Sequence, residues 1–270
     1  MVVVPLDGSV PALAALPVAK GVAEIVEGTV RIIHVALDTS PAATLVERLG
    51  MTAADLRGSV VDARTGDPAT EIIEAARAQQ VFAIVMCTHT GASADKTLGG
   101  TALNVLKNAP CPVVLVPPER PPVPWRLGRI LLPHDGSPAT SAAIRPATEL
   151  ARKAGAELNV LHVTFPGARA AGEQGSLTPP RYMDQAQHEW PAWGREFLER
   201  LVSVCPLDAV KVRLSLACGD PTEEVLRAAI AQSSDLILLA WDGVWREPHV
   251  GIVRTVIDRL PCPVAILRLT

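Results

Sequence analysis

Two kinds of loop in this sequence carry residues suited to binding a ligand. The first kind is Asp7-Gly8-Ser9, which follows an apolar run and recurs as Asp135-Gly136-Ser137. Each aspartate is suited to accept a hydrogen bond from an exocyclic amine, and each glycine lets the backbone turn into a following helix. The same tripeptide also serves as a plain strand-to-helix turn in which serine caps the helix. The residues alone leave both interpretations open.

The second kind of loop follows an apolar run that ends at Cys87, and it closes with Gly99-Gly100-Thr101. Between these points lie several hydroxyl side chains and one cation, Lys96. Backbone amides, the positive end of a helix and a single lysine together suit a phosphate group. A flexible connection has a similar composition, so a phosphate loop is one of two interpretations.

The elements that would position these loops follow from hydropathy. Continuous apolar runs predict five strands in the first half, at 2–6, 30–36, 58–63, 82–87 and 113–116. Runs without polar alternation are typical of parallel strands that are covered on both faces. Between them, helix starts are indicated by Asp67-Pro68, Ser137-Pro138 and Asp220-Pro221, which place a capping oxygen before a proline. Alternating strands and helices predict a doubly wound α/β fold.

The chain is an internal duplication, which sets the number of domains. Four landmarks recur in the same order: residues 5–9 as 133–137, 33–35 as 161–163, 66–68 as 219–221, and 110–113 as 261–264. We therefore predict two domains, 1–118 (the first repeat) and 127–270 (the second repeat). The segment between them, 119–126, is rich in proline and predicts a semi-rigid linker.

The second repeat has an insertion between its second and third landmarks. The landmark spacing changes from 128 to 153, a gain of 25 residues that maps to about 164–190, and two residues are lost afterwards. Glycines and prolines predict a loop in its first half, and a helix interrupted near Pro191 is expected over 184–205. A lid or a partner-binding surface is one interpretation. A tolerated surface insertion is the other, because long surface loops cost little stability.

Composition excludes several classes of protein. The chain is 49% hydrophobic with a net charge of −3, so neither a disordered chain nor a basic nucleic-acid or membrane-surface binder fits. Only 3% of the residues are aromatic, which leaves no stacking platform for single strands. The five cysteines form no metal-ligand or redox spacing and are expected to be free thiols. With no apolar stretch of membrane-spanning length, a cytoplasmic protein is expected.

The ordered set of landmarks, present twice, resembles the universal stress protein family, here as a tandem pair that covers essentially the whole chain. The resemblance implies two Rossmann-like domains, each with a five-stranded parallel sheet in the order 3-2-1-4-5. It also implies that the halves pair through their last strands as an intramolecular pseudo-dimer. Many members of that family bind ATP at the carboxyl ends of strands one and four.

Nucleotide-binding members carry the pattern Gly-x2-Gly-x9-Gly-[Ser/Thr] in the second loop, and both repeats depart from it. In the first repeat, Cys87 and Thr90 stand at the first two glycines, while Gly100-Thr101 keeps the end of the pattern. The second repeat has Ala240 at the first glycine and Gly251-Ile252 at the end, and its loop is shorter. The first repeat is thus the better candidate for nucleotide binding, and the second is expected to be altered or empty.

The resemblance gives a set of nucleotide-binding residues for each repeat. In the first repeat they are Asp7, Val35, Thr88, Thr90, Gly91, Gly100 and Thr101; the degenerate equivalents in the second are Asp135, Val163, Gly243 and Gly251.

Several histidines and tryptophans near these loops have two interpretations. His34 and His162 stand at matching strand ends, and His134 precedes Asp135, a combination that could do acid–base work. Because members of the family usually have His-Val in the second strand, a structural role is favoured. Trp241 and Trp245 could stack on a base, but tryptophans four residues apart are more often packing residues.

The function implied by the resemblance is that of a stress-response regulator. It would bind ATP or another adenine nucleotide with Mg²⁺ and act on an unknown protein partner, and a further homodimer is left open. The alternative is a scaffold of the same fold that binds no nucleotide and needs no cofactor. A slow ATPase is the weakest hypothesis, because no general base, arginine clamp or Gly-Lys-Ser/Thr motif is present. No catalytic residue or metal ligand is predicted, and a non-enzyme is favoured.

Overall fold

In the computed structural model, the chain divides into two units. The structure describes residues 1–36, 46–47, 51–52, 56–78, 80–88, 98–118, 124–164, 194–199, 210–241 and 249–268. The first unit contains Met1–Arg126 together with Ile257–Arg268, and the second contains Leu127–Val256. Within the described residues, no helix is both long enough and apolar enough to cross a membrane.

The first unit is built on a largely parallel sheet. Its strands are β1 (Val2–Pro5), β2 (Val30–Ala36), β3 (Ser59–Thr65), β4 (Ala83–Cys87), β5 (Val113–Val116) and β10 (Val264–Arg268). Their order is β3-β2-β1-β4-β5-β10, so the first repeat has the expected order 3-2-1-4-5. β10 pairs antiparallel with β5, with Val264 opposite Leu115, which is the pairing expected for the last strands of the two repeats.

Helices cover this sheet, and the one predicted from Asp67-Pro68 begins at that proline. A short 3₁₀ turn, Pro11–Ala14, precedes α1 (Ala15–Ile25), and α2 (Pro68–Arg77) and α3 (Gly100–Asn108) follow. Asp67 caps α2 by accepting the N–H of Thr70 at 2.9 Å. The side chains of β1 and β4 are almost wholly buried, as expected for the central strands of a parallel sheet.

The second unit repeats this plan. Its strands are β6 (Arg129–Pro133), β7 (Glu157–Thr164), β8 (Lys211–Cys218) and β9 (Leu236–Trp241), and its helices are α4 (Pro138–Ala142), α5 (Ile144–Ala154), α6 (Pro221–Ala231) and α7 (His249–Asp258). The strands are parallel in the order β9-β6-β7-β8, which reproduces the order 3-2-1-4 for the first four strands of the repeat.

The insertion of the second repeat lies mostly outside the described residues. Of the helix expected over 184–205, the structure describes 194–199, and these residues are helical. Phe197 on this segment is buried, at 1% exposure, whereas its neighbours Arg195 and Leu198 are exposed. The segment therefore contributes an apolar side chain to the core of the second unit.

Candidate functional site

The candidate site of the first repeat lies at the carboxyl ends of β1 and β4. β1 pairs in parallel with β2 on one side and with β4 on the other, so the strand order reverses at this point. In open α/β sheets, ligands bind in the crevice at such a switch point. Asp7 follows β1 and Thr88 follows β4, so both loops leave the same edge of the sheet.

The loop after β1 is a tight turn with an exposed carboxylate. Asp7 Oδ1 accepts the N–H of Ser9 at 2.9 Å, and Gly8 has a φ of +92°, which favours glycine. Ser9 Oγ in turn accepts the N–H of Ala12 at 3.4 Å, near the start of the 3₁₀ turn. Asp7 itself is solvent-exposed. The loop is thus both a strand-to-helix turn and a carrier of an accessible acceptor.

The loop after β4 is closed at its base by backbone hydrogen bonds. Thr88 is buried, its N–H donates to the Val116 carbonyl at 3.2 Å, and its carbonyl accepts the N–H of Gly99 at 2.9 Å. This closure brings the start of α3 back to the end of β4. The predicted residues Thr90 and Gly91, and Lys96, belong to the intervening segment, which lies outside the described residues.

The start of α3 is exposed. Its N-cap is Gly99, which has no side chain to cap the helix, and Gly100 and Thr101 are both exposed. A Cβ placed on Gly100 would have no heavy atom of the described residues within 4 Å. The first amides of a helix lack intrahelical partners and attract anions, so this opening is suited to phosphate oxygens. Val35, the remaining predicted residue, is half-buried in β2 beside β1.

In the second repeat, the equivalent aspartate, Asp135, is hydrogen-bonded to nearby residues of the chain. Asp135 Oδ1 accepts the N–H of Ser137 at 2.8 Å and the hydroxyl of Thr140 at 2.7 Å. Desolvation pushes the pKa of Asp135 upward, but the hydrogen bonds from Ser137 and Thr140 outweigh it and hold the pKa below its usual range. The first repeat has Ala12 where the second has Thr140, so it lacks this hydroxyl.

His134 is a structural side chain in this geometry. Its Nδ1 accepts the N–H of Gly136 at 2.9 Å, so the ring proton resides on Nε2, which lies 3.3 Å from Ser141 Oγ. Ser141 donates its own hydrogen to the Ser137 carbonyl at 2.8 Å. The imidazole therefore donates to the serine instead of taking its proton. This arrangement favours the structural interpretation over an acid–base pair.

His34 and His162 have the same role in the two repeats. A carbonyl only accepts hydrogen bonds, so Nδ1–H of His34 donates to Leu6 O at 2.7 Å and Nδ1–H of His162 donates to His134 O at 2.8 Å. Both side chains are buried, at 4% exposure. Burial lowers the pKa of His162. Each histidine fixes the chain where β1 or β6 ends, next to the aspartate loop.

The second glycine loop also differs in content. Trp241, at the end of β9, is 2% exposed and stands where the first repeat has Thr88, which favours its packing role. Gly243 and Trp245 lie outside the described residues, and Gly251 lies in the first turn of α7. Val163 is half-buried in β7, opposite Ala217.

Sequence reasoning missed the contribution of Thr140 and Phe197. Comparison of Thr140 with Ala12 across the two repeats would have revealed the first, whereas nothing in the sequence placed Phe197 against His134. Their rings meet edge-on, with centroids 5.0 Å apart. In the described part of the chain, no group of three or more His, Cys, Asp or Glu side chains is placed to hold a metal ion.

Comparison with known proteins agrees with this architecture. The model of the universal stress protein family matches the chain twice, at residues 1–117 and 127–268. Universal stress protein YxiE of Bacillus subtilis (strain 168) is 30% identical over 148 residues, which cover 52% of this chain and 98% of the relative.

Two solved structures are similar to nearly the whole chain. A functionally unknown protein from Pseudomonas aeruginosa PAO1 has a TM-score of 0.68 at 18% identity, covering 99% of this chain and 92% of that one. A universal stress protein from Archaeoglobus fulgidus has a TM-score of 0.63 at 20% identity, covering 99% and 97%. At these identities the likeness concerns the fold.

The fold and the paired loops define a duplicated, doubly wound α/β protein whose candidate loops lie at the carboxyl ends of the strands. The two matches of the family model cover most of the chain, so it belongs to the universal stress protein family, as a tandem member with two such domains.

Proposed function

We propose that this chain is an adenine-nucleotide-binding regulator of the stress response, whose first repeat holds the nucleotide. The observation that carries the proposal is the open start of α3 at Gly100, which follows β4, the strand next to the one that presents the exposed carboxylate of Asp7. An acceptor for an exocyclic amine and the first amides of a helix, which suit phosphates, then lie on neighbouring strand ends.

Each residue of the proposed site has a role suited to its place. Asp7 would accept the exocyclic amine, with the backbone near Val35 beside the base. Gly100 and Thr101 would offer an amide and a hydroxyl to the phosphates. Thr88 is buried, so it would act by closing the loop that carries Thr90 and Gly91. Any Mg²⁺ would arrive bound to the phosphates, since the described residues include no cluster of metal ligands.

The second repeat is proposed as a degenerate site. Asp135 is engaged by Thr140, and Trp241 fills the position of Thr88. Its remaining equivalents are Val163, Gly243 and Gly251. We therefore expect one nucleotide site in each chain, in a cytoplasmic protein that acts through a protein partner, alone or as a homodimer.

Isothermal titration with ATP and Mg²⁺ tests the first site. Gly100→Val adds a side chain that meets no atom of the described residues within 4 Å, so we expect the fold to persist and the binding heat to disappear. Gly251→Val makes the matching change in the second repeat and should leave the heat unchanged. Equal heats from wild type and Gly100→Val, or no heat from wild type, would overturn the proposal.

The alternative is a scaffold that binds no nucleotide, and the buried Trp241 favours it for the second repeat. If both repeats are scaffolds, protein purified from cells should carry no adenine nucleotide. Mass spectrometry of the small molecules released on denaturation distinguishes the two functions. Steady phosphate release that is lost in Asp7→Ala would instead support the weaker hypothesis of a slow ATPase.

A further inference from the structure

The loop after β6 is closed by a ring nitrogen of a buried histidine. His134 Nδ1 accepts the N–H of Gly136 at 2.9 Å, and Gly136 has a φ of +87°. An imidazole nitrogen accepts a hydrogen bond only while it carries no proton. A proton on Nδ1 would make it a donor that faces the N–H of Gly136, and the hydrogen bond between them would be lost. The hydrogen bond between His134 and Gly136 thus requires neutral His134.

The surroundings of His134 disfavour its charged form. The ring is 2% exposed, meets Phe197 edge-on and contacts the uncharged Ser141 of α4. Burial lowers the pKa of His134 to about 4; Asp135 opposes this shift, and His162 on β7 adds to it. The charged residues of the segment that carries Phe197 are exposed to solvent: Arg195, Glu196 and Glu199.

The first repeat has the same loop without the titratable ring. Leu6 stands where the second repeat has His134, and it is equally buried, at 2% exposure. Gly8 has a φ of +92°, so its backbone matches that of Gly136. The carbonyl of each residue accepts Nδ1–H of a histidine on the next strand, His34 or His162. The two repeats therefore differ at this point in one group that can take up a proton.

We propose that the second repeat contains a proton-operated latch, in which neutral His134 holds the Asp135-Gly136-Ser137 loop closed and protonated His134 releases it. This inference does not depend on nucleotide binding. It gives the second repeat, whose nucleotide loop is degenerate, a regulatory response of its own.

The direction of the response follows from proton linkage. In the released form His134 meets solvent and titrates near its ordinary pKa of about 6.5. Between that value and about 4, the released form binds a proton that the closed form does not. Acid therefore favours release, by up to about tenfold for each unit of pH across this window. Above about 6.5 neither form is protonated, and the equilibrium does not change with pH.

Amide hydrogen exchange in the full chain, followed by NMR from pH 7 to pH 4, tests the latch. After correction for intrinsic exchange, protection of the Gly136 amide should decrease as the pH is lowered, while protection of the Gly8 amide should not change with pH. The carbon-bound ring protons of His134 provide a second readout, and we expect their titration midpoint well below 6.5. A His134 midpoint near 6.5, or equal pH dependence at Gly8 and Gly136, would overturn the proposal.

Two variants at this position separate His134 from His162. His134→Asn retains an oxygen that can accept the N–H two residues later but does not titrate. His134→Leu installs the residue that the first repeat tolerates at this place. Both should abolish the pH dependence of Gly136 protection between pH 6.5 and pH 4, and only the leucine variant should lower protection at pH 7. A pH dependence that survives in either variant would assign the titration to another group and refute the latch.

Discussion

At the scale of single residues, two buried histidines fix the ends of β1 and β6. His34 and His162 each donate Nδ1–H to a backbone carbonyl, Leu6 O at 2.7 Å and His134 O at 2.8 Å. Each histidine is nearly inaccessible to solvent. A buried carbonyl that loses its donor destabilises the folded state, because in the unfolded state water would satisfy it.

We therefore predict that His34→Leu lowers the free energy of unfolding by about 1–3 kcal/mol, and that His162→Leu has a loss of the same order. Urea denaturation followed by circular dichroism measures both. A control is Val10→Ala, which changes a side chain that is 81% exposed next to the same loop. If both histidine variants unfold at the urea concentration of wild type, these residues have no structural role, and the acid–base hypothesis regains support.

Cysteine reactivity provides a second test at this scale. Cys111 is partly buried, and desolvation raises the pKa of its thiol to about 11 although a backbone hydrogen bond from Ile84 opposes the shift. At pH 8 only about one thiol in a thousand is then ionised, and the thiolate is the reactive form. Cys218 is exposed at the end of β8.

Iodoacetamide at pH 8 should consequently modify Cys218 well before Cys111, as followed by peptide mass spectrometry over time. Denatured protein serves as the control, in which the two peptides should react at similar rates. Equal labelling of the two cysteines in the folded protein would contradict the burial of Cys111.

At the scale of elements, the two repeats have different pairs of polar side chains at equivalent positions on their second and third strands. Arg31 on β2 lies 3.4 Å from Asp62 on β3, and both side chains are about one-quarter exposed. The equivalent positions on β7 and β8 hold Asn159 and Ser215, whose side chains are hydrogen-bonded at 2.8 Å. The registers match, because Ile33 is opposite Asp62 just as Leu161 is opposite Ser215.

A double-mutant cycle on the first repeat tests this equivalence. Arg31→Asn and Asp62→Ser should each reduce stability, since each leaves a partly buried charge without this partner. The double variant should be more stable than the sum of the single losses predicts, by about 0.5–1 kcal/mol after allowing for solvent screening. Chemical denaturation of the four proteins gives the coupling energy. If the two single losses in stability add exactly, Arg31 and Asp62 do not stabilise each other, and their pair is not the equivalent of Asn159 and Ser215.

The elements also show what can be predicted from sequence. β2 and β5 occur at the predicted residues, and Pro112 and Pro117 bound the apolar run of β5. β3 is predicted at 58–63 but forms at Ser59–Thr65, because Arg64 and Thr65, on a half-exposed strand, are polar and give no apolar signal. The hydrogen bond between Asp135 and Thr140 does not follow from hydropathy, because it joins two polar side chains; the comparison of Thr140 with Ala12 in the first repeat indicates it.

At the scale of the whole molecule, duplication has produced two loops with one sequence and different surroundings. Asp7 and Asp135 each accept the N–H of the serine two residues later, at 2.9 and 2.8 Å. Asp135 is in addition hydrogen-bonded to the hydroxyl of Thr140. Trp241 of the second repeat stands where the first repeat has Thr88. The proposed function thus requires two similar domains with unequal sites.

We predict a stoichiometry of one ATP per chain by isothermal titration. Asp7→Asn retains the oxygen that accepts from Ser9, so the turn should persist. Its new amide group would, however, face the amine of the base as a second donor, and affinity should fall about tenfold or more. Asp135→Asn is the matched control and should leave both affinity and stoichiometry unchanged. Two sites per chain, or equal losses from the two variants, would show that the second repeat also binds nucleotide.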